Sequence, residues 1–283
     1  MIHLSNQADG LRAQTPRGGR VIPFRRRSYQ GERRTIAVTS GKGGVGKTQV
    51  SANLAVGFAR AGLSVLVLDA DLGLASMDLA FGVRPEADLR DVLEGKQSMR
   101  DVLVEGPLGV KLVPACPGRY DMANLPPPER RRLLDAVSDV AAEFDVLLID
   151  TGAGIGGNAV AFASHADEVV LVTTPDPTAL RDAYAMAKVL HRRSGVDRVQ
   201  LVANQVNSEV EGAELHENLD AIVRRFLTLK LDYLGAVPRD EAVNDAVRSG
   251  EPFLLASPRC PASRALEAIT RRLLPQTAPR ETC

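Results

Sequence analysis

The residues best suited to chemistry form one glycine-rich segment, Gly41-Lys-Gly-Gly-Val-Gly-Lys-Thr48. It follows an apolar run and precedes a stretch with the pattern of a helix. Glycines let successive backbone N–H groups converge on phosphate oxygens, and a helix N-terminus adds its dipole. Lys47 supplies a positive charge and Thr48 a hydroxyl for Mg²⁺. The segment predicts a nucleoside triphosphate site, with contacts from Gly43, Gly44, Val45, Gly46, Lys47, Thr48 and Gln49.

Acidic side chains lie where two buried strands are predicted to end. Asp69 and Asp71 follow one apolar run, and Asp150 follows another, beginning Asp-Thr-Gly-Ala-Gly. Because ligands bind at the carboxyl ends of parallel strands, we expect Asp150 to hold the Mg²⁺ shell beside the phosphate loop. Gly152 and Gly154 are the natural hinges of a loop that follows the γ-phosphate.

The elements that must position these residues alternate between apolar runs and amphipathic stretches. Strands are predicted at 35–39, 64–69, 110–114, 145–150, 168–174, 199–203 and 233–237, and long helices at 48–61, 128–142, 178–192 and 215–226. Continuous apolar runs are typical of strands buried on both faces. The pattern predicts a single α/β domain, with a mostly parallel sheet flanked by helices on both faces and with flexible termini.

Bulk composition is that of an ordinary globular protein. The chain has 283 residues, of which 45% are hydrophobic and 25% charged, with a formal net charge of zero. No run approaches the length of a membrane span, and the N-terminus lacks the apolar core of a signal peptide. Three scattered cysteines (Cys116, Cys260 and Cys283) predict reduced thiols rather than a metal site. We expect a cytoplasmic protein, with peripheral attachment to the inner face of the cell membrane left open.

The phosphate loop carries a second lysine, Lys42, five residues before Lys47. Lys-Gly-Gly-x-Gly-Lys-Thr resembles the deviant Walker A motif of the MinD/ParA family of dimerising P-loop ATPases, and the resemblance covers about 34–260. It implies slow hydrolysis in an ATP-bound homodimer, in which Lys42 reaches the partner's nucleotide as an arginine finger does. We expect that role because Lys42 has no obvious use within one subunit.

The resemblance also assigns roles to the acids. It implies that Asp71 positions the attacking water, and that Asp69 has an outer-shell magnesium role while Thr48 and Asp150 hold the ion. The residues alone leave an alternative in which Asp71 only caps the helix that follows. A guanine-specific signature is missing after the late strand. Asn204 and the segment Pro238-Arg239-Asp240 instead resemble the residues that surround adenine in MinD-like proteins. This resemblance implies ATP or ADP with Mg²⁺.

Segments outside the phosphate site resemble flagellar number and placement regulators of the FlhG/FleN type. The segments 71–78 and 173–184 are similar to that group, and so is the tail at Asn6 to Arg12. The tail resembles a motif that activates a partner FlhF-like GTPase, with matches at Gln7, Ala8, Leu11 and Arg12. The implied function is an ATPase that regulates flagellar number or placement, with a basal-body or transcription-regulator partner also open.

Both termini keep alternatives open. The tail, 1–33, is expected to be flexible and basic, and its arginine-rich part is a solvated spacer, an acidic-lipid contact or a DNA contact. The ATPase domain is placed at 34–262. A terminal amphipathic helix and disordered end are placed at 263–283, with the helix either packed on the sheet or bound to membrane. The alternative functions are a ParA-like partition or cargo-positioning ATPase that binds DNA, and a MinD-like division-site ATPase.

Overall fold

The computed structural model describes residues 33–116, 118 and 120–274. These residues form one sheet in the order β3-β4-β2-β5-β1-β6-β7-β8. Neighbouring strands are parallel except β3 and β4, which are antiparallel. The predicted α/β fold with a mostly parallel sheet is therefore confirmed. The strands are β1 (Arg34–Ser40), β2 (Val65–Ala70), β3 (Val104–Glu105), β4 (Lys111–Val113), β5 (Val146–Ala153), β6 (Glu168–Thr173), β7 (Arg198–Val206) and β8 (Lys230–Pro238).

Helices connect the strands and cover both faces of the sheet. They are α1 (Lys47–Arg60), α2 (Met77–Phe81), α3 (Leu89–Leu93), α4 (Tyr120–Ala123), α5 (Pro127–Ala141), α6 (Gly157–Ser164), α7 (Pro177–Ser194), α8 (Glu209–Phe226), α9 (Glu241–Ser249), α10 (Phe253–Ala256) and α11 (Pro261–Leu273). Helix α8 begins six residues before its predicted start, because the Ser208 side chain accepts a hydrogen bond from the Glu211 N–H and caps it. The edge strand β3 and the shorter helices were not predicted.

Alternate residues of the central strands enter two apolar layers. In β2, Leu66 and Leu68 belong to the layer shared with α5, α7 and α8, whereas Val65 and Val67 belong to the layer shared with α1 and α11. Every residue of β2 is buried. Because the side chains of a strand alternate between faces, a strand covered on both faces needs apolar residues at successive positions. This double burial explains the continuous apolar runs of the sequence.

Helix α11 packs its apolar side on the sheet. It contacts α1 and β8, and Leu266, Ile269 and Leu273 are buried there. The approach to α1 is close, since a Cβ added to Gly57 would lie 2.7 Å from the Thr270 hydroxyl. The boundary predicted at 262/263 therefore falls inside a helix of the same core. Among the described helices, none is long and apolar enough to span a membrane.

The buried side of α11 can be tested by truncating Leu266, which is fully buried. We expect Leu266→Ala to lower the free energy of unfolding by about 2–5 kcal/mol, because the change removes packed methyl groups and leaves a cavity. Arg264→Ala, on the exposed side of the same helix, should change it by less than about 0.5 kcal/mol. Urea denaturation of the full chain measures both values. Equal stability of the two variants would contradict the packing of α11.

Candidate functional site

The glycine-rich loop joins the carboxyl end of β1 to the first turn of α1. Gly44 and Gly46 have φ angles of 80° and 86°, in the left-handed region that favours glycine. Gly46 is the residue that precedes α1, so Lys47 and Thr48 are the first two residues of that helix. A Cβ at Gly46 would lie only 2.3 Å from Asn204 Nδ2. The loop therefore requires glycine at this position for both its backbone angle and its packing.

Asp150, on β5, accepts hydrogen bonds from side chains of the first turns of α1. Its Oδ1 accepts hydrogen bonds from Lys47 Nζ at 3.0 Å and Ser51 Oγ at 2.7 Å. Its Oδ2 accepts from Thr48 Oγ1 at 2.8 Å. The Asp150 side chain is fully buried and that of Lys47 is 7% exposed. The structure thus brings together the three residues predicted to hold phosphate and metal, and a buried ion pair keeps them in place.

Asp69 lies beside Asp150 because the two are register partners on the parallel strands β2 and β5. Its carboxylate is buried and accepts three backbone hydrogen bonds, from the N–H groups of Asp71, Ser76 and Met77. Two of these donors are at the start of α2, so Asp69 caps that helix from a distance in sequence. Asp69 therefore fixes the loop between β2 and α2 next to the metal-binding residues.

Burial raises the pKa of Asp69 to about 7, and the negative charge of Asp150 raises it further. The three N–H hydrogen bonds act in the opposite direction and lower it. Burial also raises the pKa of Asp71, where the charge of Lys47 opposes the rise and that of Asp150 adds to it. Three carboxyl groups thus share one edge of the sheet with one buried lysine. Such crowding favours the binding of a cation, which would offset the repulsion between them.

Asp71 is half-buried beside Gly152, near the end of β5. A Cβ on Gly152 would lie 3.5 Å from Asp71 Oδ1, so this glycine leaves space next to the carboxylate. Asp71 does not cap α2, which begins at Met77 and is preceded by Ser76. It begins the turn before that helix, where the Leu74 N–H donates to the Asp71 carbonyl at 3.1 Å and an N–H bond from Leu74 lowers the pKa of the Asp71 carboxyl; this agrees with the alternative in which Asp71 caps the following turn. The Ser76 hydroxyl lies 3.1 Å from that of Thr48. The Asp71 carboxylate therefore has one N–H partner in its own turn and lies beside Gly152.

A cavity of about 520 Å³ opens beside the loop. It is lined by the four residues predicted to surround a base, Asn204, Pro238, Arg239 and Asp240, and also by Gly46, Gln49 and Gln205. Its size is in the range of small-ligand sites. The Gln49 Oε1 atom is buried without a hydrogen-bond partner in the part of the chain that the structure describes. The cavity therefore has the volume and the predicted lining residues for a small ligand.

The end of β7 braces the phosphate loop. Asn204 Nδ2 donates to the Val45 carbonyl at 2.7 Å, and Gln205 Nε2 donates to the Gly44 carbonyl at 3.3 Å. Gln205 has a φ of 57°, which is unusual for a residue other than glycine. Its carbonyl accepts from Arg239 Nε at 2.9 Å. The strained residue thus connects the loop to one wall of the cavity.

Lys42 has a partner within its own subunit. Its Nζ donates to Asp176 Oδ1 at 3.2 Å and also to the Thr178 hydroxyl, both at the start of α7. The expectation that Lys42 has no use within one subunit is therefore wrong. The amphipathic pattern of α7 predicted the helix, but nothing in it indicated that the helix start would lie beside the loop.

The oxygen atoms at the site suit Mg²⁺. Thr48 and Asp150 place a hydroxyl and a carboxylate together, with Ser76 and Asp69 adjacent. No group of three or more His, Cys, Asp or Glu side chains is arranged to hold a metal within the described residues. Mg²⁺ is commonly held by one or two carboxylates together with phosphate oxygens of the substrate. These donors therefore fit a Mg²⁺–nucleotide complex better than a metal held by protein alone.

Four residues with contacts at the site were not predicted: Ser51, Ser76, Asp176 and Gln205. Ser51 lies one helical turn after Lys47, so its spacing could have indicated that it faces Asp150. The other three reach the site through tertiary packing, and no local pattern marks them.

The chain is similar to proteins of one nucleotide-binding family. Residues 36–253 match the CobQ/CobB/MinD/ParA nucleotide binding domain. Antiactivator FleN of Pseudomonas aeruginosa is 45% identical over 84% of this chain and 85% of its own. The flagellum site-determining protein YlxH of Helicobacter pylori is 35% identical over 87% of this chain and 83% of its own. The cell division ATPase MinD of Pyrococcus furiosus has a similar structure, with a TM-score of 0.72 and 25% sequence identity. The match covers 85% of this chain and 98% of the MinD chain.

The raised pKa of Asp69 predicts how stability depends on pH. A carboxyl group with a folded pKa near 7 and an ordinary unfolded value near 3.8 binds more protons when folded. Without nucleotide and metal, we expect the free energy of unfolding to fall between pH 4 and pH 7, on the order of 1 kcal/mol per unit from this group. Urea denaturation in EDTA across this range measures the slope.

Two variants isolate the contribution of Asp69. Asp69→Asn should flatten the slope between pH 5 and pH 7, because it removes the titrating group. Asp101→Asn should keep the wild-type slope there, because its hydrogen bonds with Ser98 hold the pKa of Asp101 below its usual value. A wild-type slope for Asp69→Asn would show that Asp69 does not titrate in this range.

Proposed function

The chain belongs to the CobQ/CobB/MinD/ParA nucleotide-binding family, and we propose that it is an ATP-dependent dimerising ATPase that regulates flagellar number or placement. The similarity to FleN across most of both chains carries the flagellar part of the proposal. The meeting of Lys47, Thr48 and Asp150 at the end of the glycine loop supports the ATPase part.

The phosphates would lie against the backbone N–H groups of 43–48. Lys47 would leave its ion pair with Asp150 and neutralise phosphate charge, while Asp150 and Thr48 would hold Mg²⁺. The exchange keeps both buried charges paired, so neither side chain is left unpaired in an apolar environment. Mg²⁺, when bound, would offset the negative charge that develops during phosphoryl transfer.

Hydrolysis would depend on Asp71. Its carboxylate lies beside Gly152 near the end of β5, where the lack of a Cβ leaves one side of the carboxylate uncrowded. We assign to Asp71 the orientation of the attacking water, and to Asp69 an outer-shell magnesium role beside the loop that its hydrogen bonds hold. Phosphoryl transfer asks little more of a protein than an oriented nucleophile and stabilised charge. The turnover would be slow and would time flagellar assembly.

The adenine base would occupy the cavity beside Gly46. Asn204, Pro238, Arg239, Asp240 and Gln49 line it. The Asp240 carboxylate accepts from the N–H groups of Ala242 and Ala262, so it shapes the cavity. Its role would be to fix the Pro238–Asp240 segment against the base.

Two ATP-bound subunits would form a homodimer in which Lys42 neutralises phosphate charge on the partner's nucleotide. The Lys42 side chain is 40% exposed on the surface beside the loop. Leu74 and Ile155 are also exposed, in the segments after β2 and β5. A charged side chain and large apolar groups around the phosphate site suit a surface that a second copy covers.

The dimer can be tested by light scattering after size exclusion in ATP and Mg²⁺. Asp71→Ala is expected to form a stable dimer, because nucleotide binding is kept while hydrolysis stops. Lys42→Ala is expected to remain a monomer in the same buffer, because the charge offered to the partner is lost. The same degree of dimerisation in both variants would rule out the role of Lys42 in the partner's site.

The tail is the proposed contact with an FlhF-like GTPase. Gln7, Ala8, Leu11 and Arg12 lie outside the described residues, so this proposal rests on the sequence motif. A short helix formed on the partner would place Ala8, Leu11 and Arg12 on neighbouring positions. Glutamine can orient a water in a GTPase and arginine can offset developing charge.

A peptide of residues 1–20 is expected to bind the cognate FlhF-like GTPase and raise its rate of GTP turnover. Gln7→Ala should reduce the stimulation through loss of the water-positioning group, and Arg12→Ala through loss of charge in the transition state. Single-turnover GTP hydrolysis with increasing peptide measures the effect. Arg17→Ala serves as the control, since it keeps the motif while removing one positive charge.

Deletion of 1–33 separates the proposed functions. ATP binding should persist, because Lys47, Thr48 and Asp150 lie in the folded domain. A partition-type function predicts instead that the deletion weakens DNA binding, with a steep dependence on salt, and leaves GTP turnover unchanged. A peptide that neither binds nor stimulates the GTPase would remove the main support for partner activation and leave the ATPase proposal standing.

A further inference from the structure

The ends of α2 and α9 meet at two glycines. Gly82 follows α2 with a φ of 64°, and Gly250 follows α9 with a φ of 66°, both in the left-handed region. A Cβ added to Gly82 would lie 2.4 Å from the Gly250 carbonyl oxygen, and one added to Gly250 would lie 3.2 Å from the Leu79 carbonyl oxygen. Backbone atoms cannot rotate aside as a side chain can, so this close approach requires glycine. We call the contact between Gly82 and Gly250 the α2–α9 joint.

Helix α9 supplies part of the lining of the cavity proposed for the base. The lining residues that it carries are Glu241, Val243, Asn244 and Val247. Hydrogen bonds within a helix keep its residues at a fixed spacing. A ligand that displaces the cavity side of α9 would therefore also displace Gly250.

Helix α2 leads from the joint to the acidic residues of the site. The N–H groups of Ser76 and Met77, at its start, donate to Asp69 Oδ2 at 3.1 and 3.0 Å. The Ser76 hydroxyl lies 3.1 Å from that of Thr48, and the Asp71 N–H donates to Asp69 Oδ1 at 3.1 Å. With five residues α2 is about 8 Å long, so a displacement at the joint reaches these hydrogen bonds through one short helix.

The buried side chains of the two helices belong to one apolar layer. Met77 and Phe81 of α2 lie in it together with Ala246 of α9 and with Phe253, which also lines the cavity. Packed interiors have low compressibility and transmit strain. The layer therefore supports the joint, and a shift of α9 is passed on to α2 rather than absorbed between them.

We propose that Gly82 and Gly250 are positioning residues, which couple occupation of the base cavity to the position of the loop that carries Asp69 and Asp71. A base held against α9 sets the joint, and α2 then sets the N–H groups that bind Asp69. The proposal rests on the proposed function, in which this cavity receives adenine and Asp71 orients the attacking water. A phosphate compound without a base would fill the phosphate loop but leave the acidic loop unset.

Hydrogen–deuterium exchange of the full chain tests the coupling, because it reports directly on the backbone N–H groups of α2. The probes are Mg²⁺–ADP and Mg²⁺–pyrophosphate, which share two phosphates and differ in the adenosine. At saturation, we expect ADP to slow exchange in wild-type peptides covering 74–82 more than pyrophosphate does. In Gly82→Ala, whose new Cβ would displace the Gly250 carbonyl, the two probes should slow exchange equally.

Two further variants separate crowding at the joint from backbone strain. Gly250→Ala crowds the joint less, so it should reduce the ADP-specific slowing by less than Gly82→Ala, and it carries the test if Gly82→Ala does not fold. Gly195→Ala is the matched control. Gly195 follows α7 with a φ of 71°, and apart from its chain neighbours no atom of the described residues would lie within 4 Å of its Cβ. This variant has the same left-handed strain without the crowding and should keep the full ADP-specific slowing.

Turnover and binding give a second readout. A shift of the Asp71 loop by about 1 Å should lower kcat for ATP in Gly82→Ala by up to about 100-fold. The Kd for Mg²⁺–pyrophosphate, measured by titration calorimetry, should stay at its wild-type value, because Lys47, Thr48 and Asp150 hold each other independently of the joint. A variant that was only less stable would not separate kcat from pyrophosphate binding in this way.

Three results would each overturn the coupling. They are equal slowing by ADP and pyrophosphate in the wild type, an undiminished ADP-specific effect in the variants of Gly82 and Gly250, and the same loss of the effect in Gly195→Ala. Failure of the wild type to bind either probe would instead overturn the proposed nucleotide site.

Discussion

The buried ion pair between Lys47 and Asp150 is the interaction on which the site depends. Two charges removed from water are stable only when each is paired and hydrogen-bonded, and Asp150 meets this condition with Lys47, Thr48 and Ser51. Loss of one partner would leave an uncompensated charge in the core. The pair therefore joins the start of α1 to β5 and keeps the site folded before a ligand arrives.

The same pair explains why a second acid can lie so near. Register places Asp69 beside Asp150 on the neighbouring strand, where two buried carboxylates repel. The protein compensates in two ways, with three backbone N–H groups on Asp69 and the ammonium of Lys47 on Asp150. Carboxyl groups thus outnumber the ammonium at this edge of the sheet, and burial relieves this excess in part by raising the pKa of Asp69. A site with this excess suits Mg²⁺, whose charge would complete it.

Much of this arrangement could be predicted from the sequence, because it depends on local pattern. Apolar runs predicted the strands, and the parallel sheet brought their carboxyl ends together, so Lys47, Thr48 and Asp150 meet as expected. Asn204 on β7, Pro238 at the end of β8 and the two residues after it, Arg239 and Asp240, line one cavity.

Contacts that depend on how distant elements pack could not be predicted. The Asp69 carboxylate binds N–H groups at the start of a five-residue helix with too few residues for a clear periodicity. Asp176 meets Lys42 because β6, which precedes α7, pairs with β1. Gln205 reaches Gly44 through a backbone angle that propensity disfavours. These three contacts depend on strand order or on local backbone strain. A short window of neighbouring residues does not encode strand order or strain of this kind.

Asp240 links the cavity to α11, the last helix that the structure describes. One carboxylate oxygen accepts from the Ala242 N–H and caps α9, while the other accepts from the Ala262 N–H at the start of α11. Helix α11 in turn packs on α1, whose first turn carries Lys47 and Thr48. A continuous chain of contacts thus links the cavity to α11, and α11 to the helix that carries the end of the phosphate loop. Because packed interiors have low compressibility and transmit strain, a displacement of Asp240 at the cavity would reach α11 directly, through the hydrogen bond from the Ala262 N–H.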